Sequence, residues 1–92
     1  MTKEIMKIDG DSIYFDCREH AGDREICAMC SATCNMIICA CDRHGIAPQS
    51  DEDGHIRYDI EHADKELIHT FEDAQRCFDA IAAEFPEYLK CY

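Results

Sequence analysis

The sequence predicts an α+β domain in which an antiparallel sheet carries two helices packed on it. Three observations predict this: two stretches that alternate apolar and polar residues, an apolar run too long for a strand, and a one-sided apolar stripe in the last third of the chain. Ninety-two residues are enough for one domain, spanning 1–92.

The elements follow in order. Residues 4–9 and 12–18 flank Asp9-Gly10-Asp11, a hairpin turn signal. In the second of these strands Ile13, Phe15 and Cys17 take one face, and Ser12, Tyr14, Asp16 and Arg18 the other. Next comes Ile26 to Cys41, apolar except for Ser31, Thr33 and Asn35. A helix this apolar is buried on most sides, and the run is too short to span a bilayer. Asp23 is its expected N-cap and Gly45 its expected C-cap, with Arg43 and His44 suited to the negative end of the helix dipole. After Pro48, the Asp51-Glu52-Asp53-Gly54 turn leads into a strand with Ile56, Tyr58 and Ile60 on one face. A short partner strand is expected near 45–50. Leu67, Phe71, Ala74, Phe78, Ile81 and Phe85 then recur in steps of four and three, the stripe of a helix laid on a sheet. Asp64 caps that helix, Pro86 ends it, and residues 88–92 suit an edge strand.

Composition narrows the class of function. A formal net charge of −11 argues against unaided nucleic-acid binding, which needs clustered Lys and Arg, and suits a basic partner. No run of 18 uncharged apolar residues and no signal peptide is read, so the expected location is the cytoplasm, with no membrane contact. Eight cysteines in a reducing compartment point to free thiols, metal ligands or a catalytic thiol rather than a disulfide framework. A chain this short has a small core, so a symmetric homodimer burying part of the apolar helix or an edge strand is expected.

Cys27 and His20 stand out chemically. A thiol becomes a useful nucleophile when a helix N-terminus or a nearby imidazolium favours its thiolate. With Asp23 as cap, Cys27 falls in the first turn of the apolar helix, and His20 lies at the exit of the preceding strand. The strand-to-helix corner can fold the imidazole over the sulfur. The N–H groups at the helix start are the expected donors to an oxyanion there.

His20-Ala21-Gly22, followed by Ile26-Cys27-Ala28-Met29-Cys30-Ser31-Ala32, resembles the signature of the ribosomal-processing cysteine proteases (Prp, also called YsxB-like). That signature is a Gly-His-Ala segment, a mobile loop, and Asp-Ile-Val-Cys-Ala-Ala-Val-Ser-Ala opening a helix. The N-terminal hairpin, the acidic Asp-Gly turn into a strand and the long C-terminal helix are similar as well. The resemblance implies a dimeric, cofactor-free cysteine endopeptidase that removes the basic N-terminal extension of a large-subunit ribosomal protein. It makes His20 the general base, Cys27 the nucleophile and Ser31 an accessory candidate one helical turn further on. The sequence departs from the signature at several points, the absence of the loop glycine among them. Glu19 stands where the family has glycine before the histidine, Arg24 stands three residues before the cysteine, and the connector from His20 to Cys27 is shorter.

Other readings compete. Cys27, Cys30 and Cys34 share one helical face, with Cys41 two turns on, which suits core packing, a metal site or redox chemistry; packing is favoured because zinc cysteines usually come from tight turns. His55 and His69 are expected in solvent, His44 at a helix end and His62 half-buried. A non-proteolytic dimeric binding module on the same scaffold, with a vestigial pair, is the alternative function.

Overall fold

The computed structural model describes all 92 residues. β1 (Thr2–Asp9) and β2 (Ser12–Arg18) form the expected hairpin, and α1 (Arg24–Arg43) follows. β3 (Ser50–Glu52) and β4 (His55–Ile60) make a second hairpin before α2 (Lys65–Glu84) and β5 (Leu89–Cys91). The sheet order is β3-β4-β2-β1-β5.

The expected antiparallel sheet holds for four strands, but β5 pairs parallel to β1, with Thr2 opposite Leu89 and Glu4 opposite Cys91. The sheet is therefore mixed. The reason is geometric: α2 runs back across the sheet after β4 and supplies the crossover that parallel pairing requires. β3 starts at Ser50, the last residue of the expected 45–50 stretch, and runs on to Glu52. Just before it, Gln49 Oε1 accepts the Asp59 N–H at 2.7 Å and Gln49 Nε2 donates to the Asp59 carbonyl at 3.0 Å, so a side chain stands in for a ladder rung.

One face of the sheet is covered by helices. Ile13, Phe15 and Cys17 of β2 and Ile56, Tyr58 and Ile60 of β4 all point into the core. Phe15 lies at its centre, stacked on Phe78 at 5.8 Å and edge-on to Phe71 at 6.0 Å, geometries that aromatic rings prefer. The expected caps are present: Asp23 accepts from the Glu25 and Ile26 N–H groups, and Asp64 from that of Leu67. Of the α2 stripe, Leu67 to Phe78 are buried, whereas Ile81 and Phe85 are only half-covered where the helix passes the sheet edge.

α1 is four residues longer than the apolar run, and with 20 residues and an 18-residue stretch of mean hydropathy 1.3 it is long and apolar enough to cross a bilayer. Here Ile26, Cys30, Ile37 and Cys41 belong to the core. Its outer side, with Ala28, Met29, Ala32, Met36 and Cys39, is exposed.

The opposite face of the sheet is open. Asp16 is nevertheless buried there, because Arg18 grips both carboxylate oxygens at 2.8 Å and His55 Nε2 lies 3.0 Å away. The Arg18 bonds hold the Asp16 carboxyl below the usual range against the opposing effect of burial, and His55 adds to this. His55 is thus half-buried rather than in solvent, with Ser50 Oγ 3.3 Å from Nδ1, and it ties the β3–β4 hairpin to β2. His62 differs in the other direction: it sits in a turn with φ 58°, and its side chain is exposed.

Candidate active site

The corner between β2 and α1 brings His20 and Cys27 together. α1 begins at Arg24, so only Ala21, Gly22 and Asp23 separate the histidine from the helix. His20 Nδ1 stands 3.8 Å from Cys27 Sγ, and the Ala21 N–H donates to that sulfur at 3.3 Å. Two of the sulfur's neighbours are therefore groups able to stabilise negative charge on it.

The β3–β4 hairpin completes the surroundings of His20. Asp53 Oδ1 lies 3.5 Å from His20 Nε2, on the side of the ring away from Cys27. Gly54, with φ 78°, lets the imidazole approach: a Cβ there would meet Nε2 at 3.2 Å. Neither residue stands out in the sequence, because the hairpin reaches His20 only through sheet pairing. The acidic Asp-Gly turn was the one visible sign.

Glu19 occupies the position where the resemblance expects glycine, and its φ of 68° shows why glycine suits it. Three bonds hold the strained residue. Its N–H donates to the Gly54 carbonyl at 2.7 Å, its carbonyl accepts from Thr2 Oγ1 at 2.9 Å, and its carboxylate meets Lys3 Nζ at 2.9 Å. The two backbone bonds do not depend on the side chain. Glu19→Gly is accordingly expected to raise the melting temperature by about 2–5 °C, as relief of the left-handed strain exceeds the loss of an exposed ion pair. Thermal unfolding followed by circular dichroism checks this; an unchanged or lower midpoint would show that the Lys3 pair dominates.

A groove of about 200 Å³ runs from this corner between α1 and the hairpin. Ser31 lines it one turn beyond Cys27, without a hydrogen bond to either member of the pair. Glu19, Asp51, Glu52 and Asp53 border it with negative charge. The expected oxyanion donors at the helix start are occupied: Asp23 takes the Glu25 and Ile26 N–H groups with its side chain and that of Cys27 with its carbonyl. The N–H groups of Gly22 and Asp23 make no bond within the chain.

The remaining cysteines divide. Cys17, Cys30 and Cys41 are buried, as packing requires, whereas Cys39 and Cys77 are exposed on helix surfaces. Contact with the Cys34 thiol and burial push the Cys17 thiol up strongly; burial pushes Cys30 and Cys41 up to about 11. No group of three or more His, Cys, Asp or Glu side chains is arranged to hold a metal ion.

No protein-family model matches the sequence, and no curated protein sequence matches it. Solved structures do. The chain is similar to the ribosomal processing protease Prp from S. aureus in complex with a covalently linked product peptide, at 17% identity over 99% of this chain and 97% of that one, with a TM-score of 0.79. It is similar to the same protease in complex with a substrate peptide, at 13% identity over 100% and 98% of the two chains, TM-score 0.77. SMU.848 from Streptococcus mutans matches at 18% identity over 99% and 91%, TM-score 0.76. Over its whole length, the chain has the Prp fold.

Proposed function

We propose that the chain is a cysteine endopeptidase that trims the N-terminal extension of a large-subunit ribosomal protein in the cytoplasm. The observation that carries this reading is the His20–Cys27 approach at 3.8 Å, with the Ala21 N–H on the sulfur, in a groove of a fold shared with Prp. His20 Nδ1 takes the Cys27 proton, and the sulfur attacks the scissile carbonyl. Gly22 and Asp23, whose N–H groups are left unbonded at this corner, are the candidate donors to the developing oxyanion, and His20 returns the proton to the leaving amine. Water then hydrolyses the thioester by the same proton route. Asp53 orients the imidazole from its far side.

The acidic border selects a basic, extended peptide, so affinity falls as salt rises. A three-residue connector leaves little to rearrange around substrate, which predicts slow cleavage with loose sequence preference. The test incubates the purified protein with the ribosomal protein's extension peptide and with unrelated basic and acidic peptides at low and high salt. Cleavage of basic peptides, weakened by salt, supports the reading. Binding of the same peptides without cleavage would favour the binding-module alternative, for which the short connector also speaks.

The exposed stripe Ala28, Met29, Ala32 and Met36 is the surface assigned to a second copy in a symmetric homodimer. Sedimentation at micromolar concentration checks this: the dimer mass is expected for the wild type, and the monomer mass for Met36→Glu. A wild-type monomer would sink it.

A further inference from the structure

The peptidase reading uses one of four thiols in the groove. Cys17 of β2 and Cys27, Cys30 and Cys34 of α1 all line it. Cys27 and Cys30 enclose Ala28 and Met29, a C-x-x-C in the first turns of a helix, with the first cysteine partly open to the groove and the second buried directly inward on the same face. Dithiol exchange sites place their cysteines in this way, because the reachable sulfur reacts first and the covered one resolves the product.

We propose that Cys27 and Cys30 form a reversible disulfide in response to hydroperoxides, and that this modification switches the catalytic thiol off. The switching half of this rests on the peptidase reading; the disulfide chemistry does not. In the first step the Cys27 thiolate attacks the hydroperoxide. An S–O bond forms, the O–O bond breaks, the sulfur loses two electrons to the peroxide, and an alcohol or water leaves. In the second, Cys30 Sγ attacks the sulfenic sulfur. The S–S bond forms, the S–O bond breaks, and the hydroxyl leaves as water with the Cys30 proton. A dithiol reductant reverses the pair by exchange and is itself oxidised.

The geometry favours Cys30 over the other thiols. Residues three apart in a helix have Cα atoms within the span a disulfide accepts, whereas Cys34 lies two turns from Cys27. The Cβ atoms, about 5–6 Å apart in a regular helix, must close by roughly 1–2 Å. That adjustment falls in the first two turns of α1, beside the three-residue connector, where fewer intrahelical bonds oppose it than in the helix interior. Burial of Cys30, which pushes its thiol up to about 11, directs the peroxide to the other member of the pair.

The experiment treats the full chain with a small excess of hydrogen peroxide and reads intact mass, fragment maps and dimedone trapping. The wild type is expected to lose about 2 Da, with the bond mapped to Cys27 and Cys30, and to recover its thiol count in dithiothreitol. Cys30→Ser and Cys30→Ala are expected to trap dimedone at Cys27 and then gain about 32 Da irreversibly as the sulfinic acid. A wild-type disulfide between Cys17 and Cys34, or dimedone trapping at Cys27 equal in all three proteins, would overturn the proposal. Because the readout is mass, it stands or falls separately from cleavage: a protein that forms the disulfide yet cleaves nothing would refute the peptidase and retain the dithiol site.

Discussion

Removing the His20 imidazole as His20→Ala is expected to lower the initial rate of peptide cleavage by about 10²–10⁴-fold, the usual contribution of a positioned general base. Cys27→Ala is expected to abolish cleavage, since Cys27 is the groove thiol that stands beside the His20 imidazole and the Ala21 N–H. The residues around the pair rank below them. Asp53 is almost wholly in water, so its hold on His20 Nε2 is screened, and Asp53→Asn should cost at most about fivefold. Gly54→Ala should cost more than that, because its methyl group meets the ring at 3.2 Å on a backbone with φ 78°. Initial rates with one basic peptide substrate, measured for all four variants, check the order. Equal rates for His20→Ala and the wild type would remove His20 from the mechanism.

A second large effect is expected on the strand next to the groove residue Cys17. Glu4 of β1 points into the core, almost fully buried, and accepts from Gln75 Nε2 at 3.0 Å. Its other oxygen, Oε2, and the Gln75 oxygen, Oε1, are both buried without a partner. A single proton on Glu4 would supply the donor that these two acceptors lack, since a carboxylic acid and a carboxamide can join through two bonds. Burial pushes the Glu4 carboxyl up, against the lowering effect of the Gln75 and Cys91 bonds. The folded state therefore holds a proton that the unfolded chain releases near pH 4.5. Stability from this group is full below that pH and falls as pH rises towards the folded value. Glu4→Gln presents the neutral form at every pH, and it is expected to stabilise the protein at pH 7 by about 1–3 kcal/mol, the cost of an unsatisfied buried polar group. Urea unfolding from pH 4.5 to 8 checks this: the gap between variant and wild type should widen with pH. A constant gap, or a less stable variant at pH 7, would contradict it.

Much of this molecule was legible because the local pattern and the tertiary environment agree. β2 and β4 alternate cleanly since one face meets helices and the other does not, and the α2 stripe reads directly as burial from Leu67 to Phe78. Asp23 and Asp64 announced their helices because capping is a local bond. His20 and Cys27 were visible because a strand end and a helix start only seven positions apart must meet. What stayed hidden depends on contacts distant in sequence. Asp53 and Gly54 reach His20 through the β2–β4 ladder, Asp16 is buried by His55 from a different strand, and the direction of β5 is decided by the path of α2. The φ of Glu19 is also set from outside, by Gly54 and Thr2.

The parallel pairing of β5 with β1 has a consequence for the order in which the molecule assembles. The β1–β2 hairpin joins residues a few positions apart, and the β2–β4 ladder closes a loop of moderate length, but Thr2 and Leu89 stand at opposite ends of the 92 residues. Contacts of such long separation are repaid only after most of the chain is in place, so the β1–β5 rung belongs to the late side of the folding barrier. With three residue pairs, the same number as β3–β4, it is one of the two shortest ladders of the sheet and opens more readily than β1–β2 or β2–β4. Amide exchange should therefore be faster at Leu89 to Cys91 than in β1, β2 and β4. Each opening there uncovers Glu4, so water reaches the buried carboxyl by way of the youngest edge of the sheet.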